Sequence, residues 1–174
     1  FGVSGFIGKT LLKNLPSEWK KIGVGRNDEE LFFDLQSSKP DDLNEKISKG
    51  DYWIFLAAVS SPDQCEINSN FAFNLNVDKT KKLLEWLTSK GVKVIFASSD
   101  AVYGNKHGTA YDNDKMYPMG EYARHKALIE NFVSNNSHVK IMRLSYVLGF
   151  DDKFSNLVRQ HESSKMKLDV FKGF

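Results

Sequence analysis

Seven consecutive residues, Tyr52-Trp53-Ile54-Phe55-Leu56-Ala57-Ala58, are apolar without a break. A strand with one wet face alternates polar and apolar side chains. An unbroken run belongs to a strand covered on both faces, as in a parallel sheet wrapped by helices. The flanking sequence has the same grammar: short apolar runs alternate with segments of helical period, the pattern of repeated strand-helix units. Residues 5–15 are expected to be helical, with Ile7, Leu11 and Leu15 on one face and Pro16 as the stop. Strands are expected at 20–25 and at Leu31-Phe32-Phe33 running into Asp34, then a short helix from Pro40 to Lys49 closed by Gly50. A long helix over 67–89 carries Phe73, Val77, Thr80, Leu84 and Leu87 at spacings of three and four. A strand Val92–Ala97, a helix 118–135, a strand 139–144, a helix 152–162 and a last short strand complete the expectation. The segment Asn105–Tyr117 reads as the longest loop, either an active-site loop or a plain crossover.

Composition narrows the class. The 174 residues suffice for one domain with a core. With 24 Lys and Arg against 22 Asp and Glu, the net charge is +2. The lysines are dispersed, whereas nucleic-acid binders gather theirs into a patch, so no nucleic-acid partner is expected. The single cysteine, Cys65, excludes an internal disulfide framework and fits a reducing cytoplasm. No apolar run approaches the roughly 20 residues of a membrane helix, so no membrane partner is expected. No signal peptide is visible, and a cytoplasmic protein is the expectation.

Three motifs carry chemistry. Gly2-Val3-Ser4-Gly5-Phe6-Ile7-Gly8 has the spacing G-x-x-G-x-x-G at the start of a helix. Its glycines permit a tight turn, close approach of backbone to a pyrophosphate, and close helix–sheet packing. The free N–H groups and positive end of the helix favour phosphate. A glycine-rich turn without a ligand is the plain alternative. Tyr122-Ala123-Arg124-His125-Lys126 puts a phenol and an ammonium one helical turn apart, with Ile129 and Val133 continuing the stripe toward the core. An ammonium beside a phenol is expected to lower the phenol pKa from about 10 toward neutrality, making Tyr122 a proton acceptor or donor. An ordinary helix face is the alternative. Ser98 and Ser99 end a buried strand, the end at which ligands bind in open α/β sheets. There a hydroxyl can bond a substrate oxygen, or merely satisfy backbone groups as the strand breaks.

These motifs, in this order, resemble the extended short-chain dehydrogenase/reductase family, the group of NAD-dependent epimerases and dehydratases that act on nucleotide sugars. Further segments carry the resemblance. Phe55-Leu56-Ala57-Ala58 is similar to the family's strand end, and Asn76-Val77-Asp78-Lys79-Thr80 to its N-V-x-G-T helix start, with Lys79 where glycine is usual. Ser98–Gly104 is similar to S-[ST]-x-x-V-Y-G, and Arg143–Gly149 to R-x-x-x-V-x-G. The resemblance implies an α/β fold, a Rossmann-type doubly wound parallel sheet with helices on both faces. Residues 1–149 would form the NAD(P)-binding domain with the catalytic residues, and 150–174 the start of a substrate-binding region. A strand normally precedes such a glycine motif, and Val170–Phe174 ends without a capping element. The first strand and most of the substrate region are therefore expected to lie outside these residues.

By the same resemblance, Ser99 is the catalytic hydroxyl, Tyr122 the acid/base, and Lys126 the ribose ligand that tunes it. Gly2, Ser4, Gly5, Phe6, Ile7 and Gly8 are assigned to the cofactor's pyrophosphate turn. Asp34 and Leu35 are assigned to the adenine side, with a simple turn as the alternative for Asp34. Leu56, Ala57 and Ala58 are assigned to the strand end beside the cofactor. Asn76 would hold active-site backbone, or else serve as a helix N-cap. The second strand ends Val24-Gly25-Arg26-Asn27, without the acid that reads the ribose of NAD. Arg26 suits the 2′-phosphate of NADP, so the expected cofactor is NAD or NADP with a lean to NADP; Asp28 is the alternative reader. No metal ligands are expected. The implied substrate is a nucleotide sugar and the implied activity that of an epimerase. The Asp100 after Ser99 keeps a 4-keto-sugar reductase of the dTDP-4-dehydrorhamnose type open, while Ala101 speaks against a dehydratase. A non-catalytic NADP-binding regulator is the alternative from another class. A homodimer through the helices 67–89 and 118–135 is expected by analogy.

Overall fold

The computed structural model describes residues 1–27, 30–106, 108–150 and 152–164. Helix α1 (Phe6–Asn14) leads to the short parallel strands β1 (Val24–Gly25) and β2 (Leu31–Phe32). A single 3-10 turn, Pro40–Leu43, precedes β3 (Tyr52–Phe55). Helices α2 (Pro62–Ile67) and α3 (Ser69–Phe73), a π-helical segment Asn74–Lys79 and α4 (Thr80–Ser89) then run almost end to end. Strand β4 (Lys93–Ser99), a 3-10 turn (Asp100–Tyr103), α5 (Glu121–Val133), β5 (Val139–Leu144) and α6 (Lys153–Ser164) follow. Strands β3, β4 and β5 form one parallel sheet in that order, and β1 and β2 a second.

Phe1 joins the two sheets. Its nitrogen donates to Ile54 O at 2.6 Å, and its carbonyl accepts from Leu56 N at 3.0 Å, the staggered pair of a parallel ladder. Gly2 N donates to Val24 O on the other side at 2.9 Å. The sheet order is thus β2-β1-Phe1-β3-β4-β5. Below Phe1 an apolar groove of about 660 Å³ lies between β1 and β3, lined by Leu11 and Leu12 of α1, Leu15 just beyond it, Val24, and Trp53 and Ile54 of β3. The fold is the expected α/β one, with helices on both faces of parallel strands.

The main core lies between α4, α5 and the sheet, where Leu83, Leu84, Leu87, Ile129 and Val133 meet Phe55, Val94 and Phe96. At about 2 kcal/mol for each fully buried large apolar side chain, this layer fixes the strand ends that carry the site.

Four element expectations need correction. The strand expected over 52–58 ends at Phe55, and its exposure alternates: Tyr52 is 68% exposed, while Trp53 and Phe55 are buried. The helix expected from Pro40 to Lys49 is one 3-10 turn, in which Leu43 is buried in the core and Ile47 beyond it is only partly buried there. The strand expected over 20–25 is confined to its last two residues. The single helix expected over 67–89 is interrupted at Asn68 and again by the π-helical segment. The expected last strand lies outside the described residues. Among the described residues no helix is long and apolar enough to cross a membrane.

Candidate active site

The glycine turn is built for close approach. Gly2 has φ +90°, and a Cβ there would lie 2.9 Å from Ala57 N. A Cβ on Gly8 would run into the Gly2 carbonyl oxygen. Both positions therefore need glycine, one for its backbone conformation and both for space. Gly5 precedes α1 without a side-chain cap, and the first turn holds no acidic residue. Its N–H groups are left for an anion.

In front of this turn lies a crevice of about 450 Å³. Of the residues assigned to the cofactor, Gly2, Ser4, Gly5, Arg26, Asp34, Leu35, Leu56, Ala57 and Ala58 line it. Phe6, Ile7, Gly8, Asn76, Tyr122 and Lys126 do not: Gly8 packs the helix against the turn, the Phe6 ring rests on Gly149, and the Lys126 ammonium is turned to Ala97 O. The lining also includes Val59, Ser60, Phe71 and Leu75. Val59 and Ser60 directly continue the strand end, which is the signal that could have found them. Phe71 and Leu75 are four apart on the run after β3. The Asp34 carboxylate accepts from Gln36 N at 3.1 Å and Ser37 Oγ at 2.9 Å, so Asp34 both shapes a turn and faces the crevice. Asp28, the alternative reader of the ribose, lies outside the described residues.

Ser99 stands at the C-terminal end of β4. Its Oγ donates to Asp100 Oδ1 at 3.2 Å and accepts from Ala101 N at 3.2 Å. Its influence reaches the Tyr122 phenol, whose anion it favours. Neighbouring Ser98 has a buried Oγ with no hydrogen-bond partner among the described residues, so it does not satisfy backbone as the strand breaks. Lys126 is buried, its Nζ 2.7 Å from Ala97 O, 4.7 Å from the Phe96 ring centre and 5.8 Å from that of Tyr122. Burial lowers its pKa to about 8, opposed by the Glu130 carboxylate and the Cys65 thiol.

The expected lowering of the Tyr122 pKa is not found. Burial raises it, the Cys65 and Asp100 acids add to the rise, and the Ser99 hydrogen bond opposes them. The Lys126 ammonium spends its strongest hydrogen bond on the Ala97 carbonyl, so desolvation decides the phenol.

Asn76 is no helix cap. It sits inside the π-helical segment with its side chain turned onto the Val59 peptide, Oδ1 accepting from Val59 N at 2.8 Å and Nδ2 donating to Val59 O at 3.0 Å. Behind it lies His125, 1% exposed, with Nδ1 3.4 Å from Asn76 Nδ2. Nothing in the local sequence around His125 marks this contact, because its partner is 49 residues away.

Against known proteins, the chain is 24% identical over 170 residues to an ADP-L-glycero-D-manno-heptose-6-epimerase of Brachyspira hyodysenteriae, covering 85% of this chain and 54% of that relative. The chain thus spans about half the length of that curated relative. Among solved structures, MoeE5 in complex with UDP-glucose and NAD is 25% identical with a TM-score of 0.72, over 91% of this chain and 58% of that one. A hypothetical dTDP-4-dehydrorhamnose reductase from Sulfolobus tokodaii is 24% identical with a TM-score of 0.87, over 99% of this chain and 63% of that one. Residues 1–168 match the NAD dependent epimerase/dehydratase family, and the chain belongs to it.

Proposed function

We propose that this chain binds NAD or NADP in the crevice before the glycine turn and supplies the catalytic residues of a nucleotide-sugar epimerase. One observation carries the reading: Tyr122 and Lys126 lie on one face of α5, the Nζ 5.8 Å from the phenol ring centre, and the Ser99 hydroxyl at the strand end acts on the same phenol. The crevice supports it, since Gly2 and Gly8 let the turn beside it pack where a Cβ would strike backbone. A nicotinamide cofactor held there by Gly2, Gly5 and the strand end at Leu56–Ala58 would supply the hydride acceptor and donor for a sugar carbon.

The chain's own residues manage the proton. Tyr122 takes the proton from the sugar hydroxyl as the carbon is oxidised and gives it back on reduction, while Ser99 holds the same oxygen throughout. With its pKa raised, the phenol is a proton donor at rest. It becomes a base only when its surroundings favour the anion, and the charge on Lys126 favours it. Arg26 faces the crevice beside Asp34 and Leu35, a placement that supports the lean to NADP.

Asp100 favours a second reading, a 4-keto-sugar reductase, because its carboxylate accepts the Ser99 hydroxyl proton next to the reacting oxygen. We extend the reading to a cytoplasmic protein and to a homodimer through α4 and α5, where Leu128 and Phe132 are each 38% exposed. Sedimentation of the intact protein tests the dimer. For the activity, the intact protein is titrated with NADH and NADPH and then incubated with nucleotide sugars and their 4-keto forms. An epimerase interconverts stereoisomers without net consumption of reduced cofactor. Steady consumption with the keto sugar replaces the epimerase by the reductase, and failure to bind either cofactor removes both.

A further inference from the structure

We propose that His125 is a positioning residue: as a hydrogen-bond acceptor it holds the Asn76 amide, which clamps the Val59 peptide in the wall of the cofactor crevice. The inference rests on the proposed cofactor site. It starts from the orientation of one amide. Val59 presents an N–H and a carbonyl, and Asn76 meets them with Oδ1 and Nδ2 respectively. That pairing works one way round only, so the amide orientation is fixed. The second Nδ2 hydrogen is then left for His125 Nδ1 at 3.4 Å, with Cys65 Sγ more distant at 3.8 Å.

His125 Nδ1 therefore accepts, and the ring proton is on Nε2. That nitrogen is buried with no hydrogen-bond partner among the described residues; Glu121 Oε2 stands 3.6 Å from it. The Phe73 ring packs edge-on at 5.5 Å and holds the imidazole plane. Val59 lines the crevice, while His125 lies between Tyr122 and Lys126 on α5. The Val59–Asn76–His125 chain is a direct tie between the crevice wall and the helix carrying the proton-transfer residues.

The tie works only with a neutral ring. A proton on Nδ1 would face the Asn76 NH2 group, donor against donor. The charged and titratable groups facing the ring are Glu121 on its own helix and, from α2, Glu66, with the Cys65 thiol behind Asn76; Lys126 on α5 is turned to Ala97 O. Both carboxylates favour the imidazolium, yet burial outweighs them and holds the pKa below the ordinary imidazole value. The clamp is therefore intact at neutral pH and loosens on acidification.

The test uses the intact protein with His125→Asn, whose amide oxygen replaces the Nδ1 acceptor, and His125→Leu, which has none. Dissociation constants for NADPH and NAD are measured by titration calorimetry between pH 5.5 and 8, beside thermal midpoints. At pH 7.5, His125→Leu should bind about tenfold more weakly. His125→Asn should stay within about twofold. Wild-type affinity should fall toward pH 5.5, and that fall should vanish in His125→Asn, an outcome that decides the matter even if His125→Leu does not fold. Wild-type affinity in His125→Leu, equal loss in both variants, or an unchanged acid dependence in His125→Asn overturns the proposal while leaving the cofactor site standing. If the wild type binds no nicotinamide cofactor, both fall.

Discussion

Tyr122 and Lys126 face each other along α5, and the same cause moves their pKa values in opposite directions. Burial disfavours both the phenolate and the ammonium, raising one value and lowering the other to about 8. The ammonium is still mostly charged at pH 7. Cofactor affinity and turnover should therefore decline as pH rises through about 8, a limb that Lys126→Arg should remove and a pH-rate profile will reveal. Stability should move the other way. The unfolded lysine holds its proton to about pH 10.4, so the penalty for a buried charge is complete below pH 8 and is relieved between 8 and 10. Denaturation midpoints should rise over that window in the wild type and stay flat in Lys126→Met. Tyr122→Phe should lower kcat by about 10²–10⁴ while cofactor affinity holds, as expected for loss of a general acid/base. Turnover equal to wild type would remove Tyr122 from the acid/base role, whereas unchanged biological activity with cofactor binding intact would favour the non-catalytic reading. The positions of Ser99, Tyr122 and Lys126 were legible because four-residue spacing fixes a helix face and strand ends gather ligands. The direction of the Tyr122 shift was not, since it depends on how deeply the Ala97–Asp100 strand end and Cys65 enclose the ring.

Between Asn68 and Lys79 the chain departs from the regular helix that its apolar spacing describes. Phe73, Val77, Thr80, Leu84 and Leu87 fall at three- and four-residue intervals, yet α-helical bonding is lost between Phe73, the last residue of α3, and Thr80. The π-helical segment is the place where Asn76 turns inward onto Val59, a contact 17 residues away in sequence. Periodicity reports which residues face the core and is blind to an inserted residue whose cost is met by a tertiary hydrogen bond. The glycine turn is the opposite case: its demands are local, so its spacing was readable. Gly8→Ala tests it. The added methyl would press on the Gly2 carbonyl oxygen, and a backbone atom cannot swing aside. The variant should lose about 1–3 kcal/mol of stability and bind cofactor at least tenfold more weakly, read by chemical denaturation and by titration. An unperturbed affinity would separate the turn from the crevice.

Parallel sheet order brings Gly2, Gly5, Arg26, Asp34, Leu35 and residues 56–60 to one crevice, and the alternation of strands and helices announced that much. Long-range polar ties were not announced. Arg143 near the end of β5 donates from Nε and Nη2 to both oxygens of Glu130 on α5, at 2.6–3.1 Å. Its Nη1 reaches the Tyr103 hydroxyl at 2.7 Å and Asp112 O at 2.9 Å, and Tyr103 in turn donates to Tyr111 O. One guanidinium thus fastens β5, α5, the turn after β4 and the loop beyond it. Glu130 has a second effect, because its carboxylate does most to hold up the Lys126 pKa against burial. Glu130→Gln and Arg143→Met both break the ion pair, and each should cost about 2 kcal/mol, less than for a fully buried pair because the guanidinium is only part-buried. Their electrostatic consequences diverge. Glu130→Gln withdraws the anion, so the Lys126 pKa should fall below about 8 and the alkaline limb of cofactor binding should move to lower pH. Arg143→Met leaves the carboxylate in place and frees it from its own cation, so the limb should stay or move upward. Equal limbs in the two variants would mean that Glu130 acts on Lys126 only by holding the fold together. Opposite limbs at matched stability would show its charge reaching the site.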